Sequence, residues 1–151
     1  MINDIIVLGS TGSIGSSTLK SIYKQKIQIK LLTTNKNINK IYKQAIKYKV
    51  KNVIIEDQSK YVKFKKKFKK KKINLFLGIN SITKIIKKKV KYCVNSISGI
   101  DGLYPTLKII PYTKNILIAN KESIVCGWSL ISKKLTQHKT NFIPLDSEHF
   151  S

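Results

Sequence analysis

The sequence predicts an α/β fold with a doubly wound, mostly parallel sheet and helices on both faces. Three observations carry this expectation. Short β-branched runs alternate with amphipathic stretches along the whole chain. Several of the runs, such as Ile5 to Leu8, are apolar throughout, as strands covered on both faces are. The first run closes on a glycine-rich turn that opens the first amphipathic stretch.

Each element follows from its own residues. Ile5-Ile6-Val7-Leu8 predicts a first strand closed by Gly9, and Ser13 to Tyr23 a helix with Ile14, Leu19, Ile22 and Tyr23 near helical spacing. Ile27 to Thr33 predicts a second strand. Asn37 to Val50 then sets Ile38, Ile41, Tyr42, Ala45 and Ile46 on one helical face behind an Asn cap. Asn52 to Ile55 reads as a third strand. The stretch Asp57 to Lys72 is dense in lysine, but Tyr61, Phe64 and Phe68 at three- and four-residue steps predict a helix docked by one face. A fourth strand at Ile73 to Leu77, a short helix at Asn80 to Lys88 and a fifth strand at Tyr92 to Ile97 come next. Leu103 to Ile110 is helical, Asn115 to Ala119 a sixth strand, Glu122 to Leu135 a helix and Thr140 to Leu145 a last strand. No repeat, Pro/Gly-rich linker or low-complexity boundary divides the chain, so 1–151 reads as one domain. Because it stops shortly after that strand, the expectation is a cofactor domain ending where a catalytic domain begins.

Composition narrows the function. In 151 residues, 42% are hydrophobic and 25% charged, which suits a packed core and excludes wholesale disorder. No apolar run approaches a membrane span. The 30 basic residues against 7 acidic ones give a net charge of +23, which on its face suggests a polyanionic partner. All of those basic residues are lysine, however, and Ile, Asn and Tyr are abundant while Ala is scarce. That is the residue set of adenine- and thymine-rich codons, so the lysines are read as the mark of a reduced bacterial genome on solvated faces. Without arginine forks for guanine, no specific nucleic-acid binding is expected. Cys93 and Cys126 show no metal or redox spacing and are read as small buried hydrophobes of a reducing cytoplasm. No signal or transit segment is read at the N-terminus.

The turn Gly9-Ser10-Thr11-Gly12-Ser13-Ile14-Gly15 sits where a dinucleotide diphosphate would lie. Glycines admit a tight turn and a close approach to phosphate, and the helix N-terminus offers free N–H groups and the positive end of its dipole. The spacing is GxxGxxG, a variant of the pattern found in Rossmann-like folds. Hydroxyls of Thr11 and Ser13 add donors. Where an NAD site places an acid at the end of the second strand, this chain has Thr33-Thr34-Asn35-Lys36-Asn37, and no acid lies between Asp4 and Glu56. A lysine flanked by amides there favours a 2′-phosphate, so NADP(H) is expected over NAD(H).

Two further segments, Asn120-Lys121-Glu122-Ser123 after the sixth strand and Pro144-Leu145-Asp146-Ser147-Glu148-His149 after the last, join LGSTGSIG at Leu8 to Gly15 and Gly102-Leu103-Tyr104-Pro105-Thr106-Leu107 between them. Together and in this order they resemble the 1-deoxy-D-xylulose 5-phosphate reductoisomerase family. The resemblance implies conversion of 1-deoxy-D-xylulose 5-phosphate to 2-C-methyl-D-erythritol 4-phosphate in isoprenoid synthesis, with NADPH and Mg²⁺ or Mn²⁺. It implies that Thr11, Gly12, Ser13 and Ile14 contact the NADPH phosphates, that Lys36 and Asn37 lie at its adenosine end, and that Asn120 and Glu122 also line the cofactor. Lys121 and Glu148 would be catalytic, Lys121, Ser147 and Glu148 would contact the phosphorylated sugar, and Asp146 and Glu148 would bind the metal. The third metal carboxylate of the family would lie in a catalytic domain outside these residues, so this chain alone is expected not to turn over substrate. Members are commonly homodimers, a state these residues leave open. Asn35 stands where relatives often have Gly, and Asn tolerates a left-handed turn better than most residues.

The residues themselves agree with this chemistry. In an extended segment positions two apart face the same side, so Asp146 and Glu148 can present both carboxylates to one hard cation. They fall just past the C-terminal end of a strand, where α/β sites form. His149 is read as a group behind them. Two other classes stay open at this point: a different NADP-dependent reductase on the same fold, and a basic polyanion-binding protein without catalysis.

Overall fold

The computed structural model describes residues 3–145. Seven strands form one sheet in the order β4-β3-β2-β1-β5-β6-β7. They are β1 (Asn3–Leu8), β2 (Ile27–Thr34), β3 (Asn52–Ile55), β4 (Asn74–Leu77), β5 (Val90–Asn95), β6 (Thr113–Ile118) and β7 (Asn141–Pro144). Every pairing is parallel, so the sheet is wholly rather than mostly parallel. Between them run α1 (Ser13–Ile22), α2 (Ile38–Lys47), α3 (Gln58–Lys70), α4 (Ile82–Ile85), α5 (Leu103–Ile109) and α6 (Lys121–His138), the last three each joined to short 3₁₀ turns or loops.

The two-residue period of β1 divides the core. Ile5 and Val7 point to one face, where they meet Leu19 of α1, Ile38 and Ile41 of α2 and Phe68 of α3. Ile6 and Leu8 point to the other, against Ile82 of α4, Ile109 of α5 and Ile131 and Leu135 of α6. Both faces of a strand are thus dry, which is why β1 needs no polar residue after Asp4. The lysine-dense α3 docks as its aromatic stripe requires: Phe68 is buried, Tyr61 and Phe64 pack on the same cluster, and its lysines ring the outside.

Three local expectations are corrected. The segment read as a helix over Asn80 to Lys88 is a 3₁₀ turn followed by four residues of α-helix, because Ile86 leaves the helix for extended backbone and is buried instead. On α2, Ile46 is exposed, and the buried position in its place is polar, Gln44. Cys93 is buried, and burial pushes its thiol well above the ordinary range, but Cys126 is exposed on α6.

The chain order sets the site. After β1 the connections step to β2, β3 and β4 on one side; the chain then crosses back to β5 on the other side of β1. The loops leaving β1 and β5 diverge, and the gap they leave at the strands' C-terminal ends is the switch point at which ligands bind in open α/β sheets.

Candidate functional site

The glycine turn is built from three different demands. Gly9 has φ +72°, a left-handed conformation that a side chain disfavours, and a Cβ there would lie 3.0 Å from the Ile97 side chain. Gly15 packs the helix onto the turn: a Cβ on it would sit 2.3 Å from the Gly9 carbonyl oxygen and 2.6 Å from Ser10 Cα. Gly12 is different. A Cβ there meets nothing of the protein nearer than the Gly9 carbonyl oxygen at 3.7 Å, and its φ of −75° suits any residue. Gly12 lies on the cleft, at the N-cap of α1, where no side chain caps the helix. The packing leaves that space open beside a helix N-terminus that no side chain caps.

Side chains hold this turn from behind. Ser10 is fully buried; its hydroxyl donates to Gln44 Oε1 at 2.8 Å while Gln44 Nε2 donates back to the Ser10 carbonyl at 2.9 Å. The backbone N–H of Gly9 donates to Thr33 Oγ1 at 3.0 Å, and the hydroxyls of Thr11 and Thr34 lie 2.7 Å apart. Nothing in the sequence spacing marked either Gln44 or Thr33 for this tie.

The cleft has two lobes. The larger, about 800 Å³, is lined by Thr11 and Gly12 of the turn, by Thr33 to Asn37 after β2, by Glu56 and Lys60, and by Ser96 to Ser98, Asp101 and Tyr104. The smaller, about 230 Å³, is lined by Ile14, Ala119, Asn120, Lys121 and Glu122, and shares Ser96, Ile97 and Ser98 with the first. The start of α1 therefore stands between a lobe at the end of β2 and a lobe at the start of α6. Ser13, the first residue of α1, is exposed and lines neither lobe.

Asn120 fixes the second lobe. Its Oδ1 accepts from the Ser123 N–H at 2.9 Å, capping α6, and its Nδ2 donates to the Ile97 carbonyl at 2.6 Å. One side chain so ties the helix to the loop after β5. A Cβ on Gly102 would lie 2.5 Å from Asn120 Nδ2, so the small residue at 102 makes room for the tie. Buried Asn95 holds the same loop from below, donating to the Gly102 carbonyl and to Thr106 Oγ1 and accepting from the Ile97 N–H. Ser96 completes it by donating to the Leu8 carbonyl at 2.6 Å. Lys121 and Glu122 occupy the first turn of α6 and are exposed to the smaller lobe.

At the other lobe Lys36 and Asn37 are exposed, and Asn37 caps α2 by accepting from the Lys40 N–H at 3.3 Å. Asn35 does not take the left-handed conformation for which a glycine would be chosen; its carbonyl accepts from the Asp57 N–H at 3.0 Å. The acids lining this lobe are Glu56 and Asp101; the Glu56 carboxyl is held above its ordinary range by partial burial, opposed by a backbone hydrogen bond from Ile79. Asp146, Ser147, Glu148 and His149 lie outside the described residues. Among the described residues no three His, Cys, Asp or Glu side chains come together as a metal site.

A parallel sheet with a glycine turn at its switch point, a helix N-terminus left open between two lobes and a basic loop after β2 defines a dinucleotide-binding fold of the Rossmann type. The family profile of 1-deoxy-D-xylulose 5-phosphate reductoisomerase matches residues 5–127, and the chain belongs to that family. A reductoisomerase of Pelagibacter ubique is 50% identical over 151 residues, covering 97% of this chain and 39% of the relative. One from Wolbachia pipientis of Culex pipiens is 37% identical over 148 residues, with 96% and 38% covered. The chain thus spans about two fifths of the length of the curated relatives it matches. Among solved structures, the reductoisomerase of Zymomonas mobilis in complex with NADPH superposes with a TM-score of 0.87 at 31% identity, covering 99% of this chain and 40% of that one. A reductoisomerase in complex with NADPH, fosmidomycin and magnesium gives a TM-score of 0.86 at 29% identity over 98% and 37%. Homoserine dehydrogenase of S. aureus, at 16% identity and a TM-score of 0.54, shares the fold alone. No helix among the described residues is long and apolar enough to cross a membrane.

Proposed function

We propose that this chain is the NADPH-binding part of a reductoisomerase that converts 1-deoxy-D-xylulose 5-phosphate to 2-C-methyl-D-erythritol 4-phosphate in the bacterial cytoplasm. The observation that carries the cofactor reading is Gly12: the residue on the cleft that the protein's own packing does not need to be small. A diphosphate there would accept from the N–H groups at the start of α1, with Thr11, Ser13 and Ile14 around it. Lys36 and Asn37 would face the adenosine end, and Asn120 and Glu122 the nicotinamide end.

The bound cofactor would supply hydride to the rearranged sugar. This chain's own residues would bind and orient it. The Asn120 tie fixes the start of α6 against the loop after β5, so Lys121 presents its ammonium at the mouth of the smaller lobe, where it would neutralise negative charge on the substrate. Asp146 and Glu148 would hold Mg²⁺ or Mn²⁺, with Ser147 and Glu148 also touching substrate, as hard oxygen donors suit such ions. The rest of the metal and sugar-phosphate site, and any dimer contacts, would belong to the portion of the relatives that these residues do not cover.

Titration with NADPH followed by its own fluorescence tests the reading. Saturable binding is expected for the chain and is lost in Gly12→Val, whose far-UV circular dichroism stays that of the parent. Absence of saturable binding by the folded parent would overturn it.

A further inference from the structure

Two lysines that the motifs did not single out meet the larger lobe, one lining it and one bonded to a residue that does. Lys40, on α2, donates from Nζ to the Thr11 carbonyl at 2.7 Å. Lys60, in the first turn of α3, donates from Nζ to the Lys36 carbonyl at 3.1 Å and itself lines the lobe. Both carbonyls belong to residues that line the same lobe. The backbone carbonyls thus hold these two ammonium groups at residues before and after the end of β2.

Their anchors matter chemically. A lysine paired with a carboxylate is neutralised, whereas one bonded to a neutral carbonyl keeps its full charge and has two further N–H donors. Lys36 adds a third ammonium from the loop itself. Glu56 and Asp101 are the acids that line the lobe, and the neighbouring Asp57 is turned to its own helix: its Oδ1 accepts from Ser59 Oγ at 2.7 Å and from the Lys60 N–H at 3.0 Å. An ammonium held at the Thr11 carbonyl, a second held at the Lys36 carbonyl and that of Lys36 itself thus belong to one end of the lobe, beside the end of β2. A dianionic phosphate ester, with three acceptor oxygens, matches that charge and that number of donors.

We propose that Lys40 and Lys60, together with Lys36, clamp the 2′-phosphate of the dinucleotide and are specificity-determining residues for the phosphorylated cofactor. The proposal rests on the dinucleotide reading above. It adds to that reading two residues whose ammonium groups are placed by tertiary structure, one on each flank of the loop.

The test compares NADPH with NADH, and 2′-AMP with 5′-AMP, on the parent chain and on Lys40→Ala, Lys60→Ala and Lys60→Arg at one ionic strength. Each alanine variant is expected to weaken NADPH and 2′-AMP about tenfold, as loss of a charge-assisted hydrogen bond does, and to leave NADH and 5′-AMP within about twofold. Lys60→Arg should retain the preference, because it keeps the charge. Equal weakening of both cofactors would make these lysines mere struts of the turn and overturn the clamp, as would unchanged NADPH binding. A parent that binds NADPH over NADH while the variants keep that ratio defeats the clamp alone; a parent that binds neither defeats the dinucleotide reading with it.

Discussion

Gly12 and Gly15 stand three residues apart in one turn and answer to opposite constraints. The Cβ of an alanine at 15 would enter the space of the Gly9 carbonyl and the Ser10 backbone, neither of which can swing aside as a side chain would. Gly15→Ala should therefore destabilise the fold by about 2–3 kcal/mol, measured by urea denaturation. Alanine at 12 has room, so Gly12→Ala should cost no more than about 1 kcal/mol, the N-cap preference, while weakening cofactor binding. Gln44 is the other residue whose role its type conceals. Gln44→Ala removes the shortest bond of the buried Ser10 hydroxyl and of its carbonyl, leaving them the Thr33 carbonyl at 3.5 Å and the Ser16 hydroxyl at 3.3 Å, and should cost about 1–2 kcal/mol. If the turn depends on that pair, NADPH affinity falls with stability; the denaturation midpoint and the fluorescence titration read the two effects separately.

Three helices end in the same way, and the ending is unusual. At the ends of α2, α3 and α6 a residue takes the left-handed conformation, and the next N–H reaches back to close the helix: Val50 to the Ala45 carbonyl, Ile73 to Phe68 and Thr140 to Leu135. Glycine is the usual occupant of such a position, but here it is Lys49 (φ 57°), Lys72 (φ 59°) and Lys139 (φ 54°). Lysine there carries a Cβ that this conformation strains. Replacing any of the three by glycine should raise stability by about 0.5–1 kcal/mol, read as a higher urea midpoint at unchanged slope. The start of α3 carries a pH signature. The Ser59 hydroxyl and the Lys60 N–H hold the Asp57 carboxyl below its ordinary value of 3.8. A depressed carboxyl stabilises the fold above its unfolded value and loses that contribution as pH falls through its folded one. The stability gap between the parent and Asp57→Ala should be constant near neutrality and close below about pH 4.

At the scale of the molecule, a charge of +23 on 151 residues opposes compaction. Screening shortens the reach of that repulsion to about 8 Å at physiological ionic strength. The melting temperature should therefore rise between low salt and 0.15 M NaCl, and a fall across that range would show that attractive surface pairs dominate instead. The same charge should give binding to duplex DNA at low salt that vanishes by about 200 mM without sequence preference, since no arginine is present to read bases.

The chain's order of strands and helices was legible because the fold dries both faces of the sheet, so β-branched runs and helical stripes repeat with little interruption. The glycine turn, the Asn37 cap and the aromatic stripe of α3 were legible for the same local reason: each is a few residues reporting on their immediate neighbours. Gln44 behind Ser10, Asn95 beneath the loop after β5, Asn120 across to Ile97, and Lys40 and Lys60 beside the loop after β2 were not, because each acts on a segment far away in sequence. The sequence alone determined the fold class and the place of the glycine turn, since periodicity and turn chemistry are local. Only the tertiary structure decided which glycine the packing does not require to be small and which lysines are anchored, since both depend on what the sheet's switch point brings face to face.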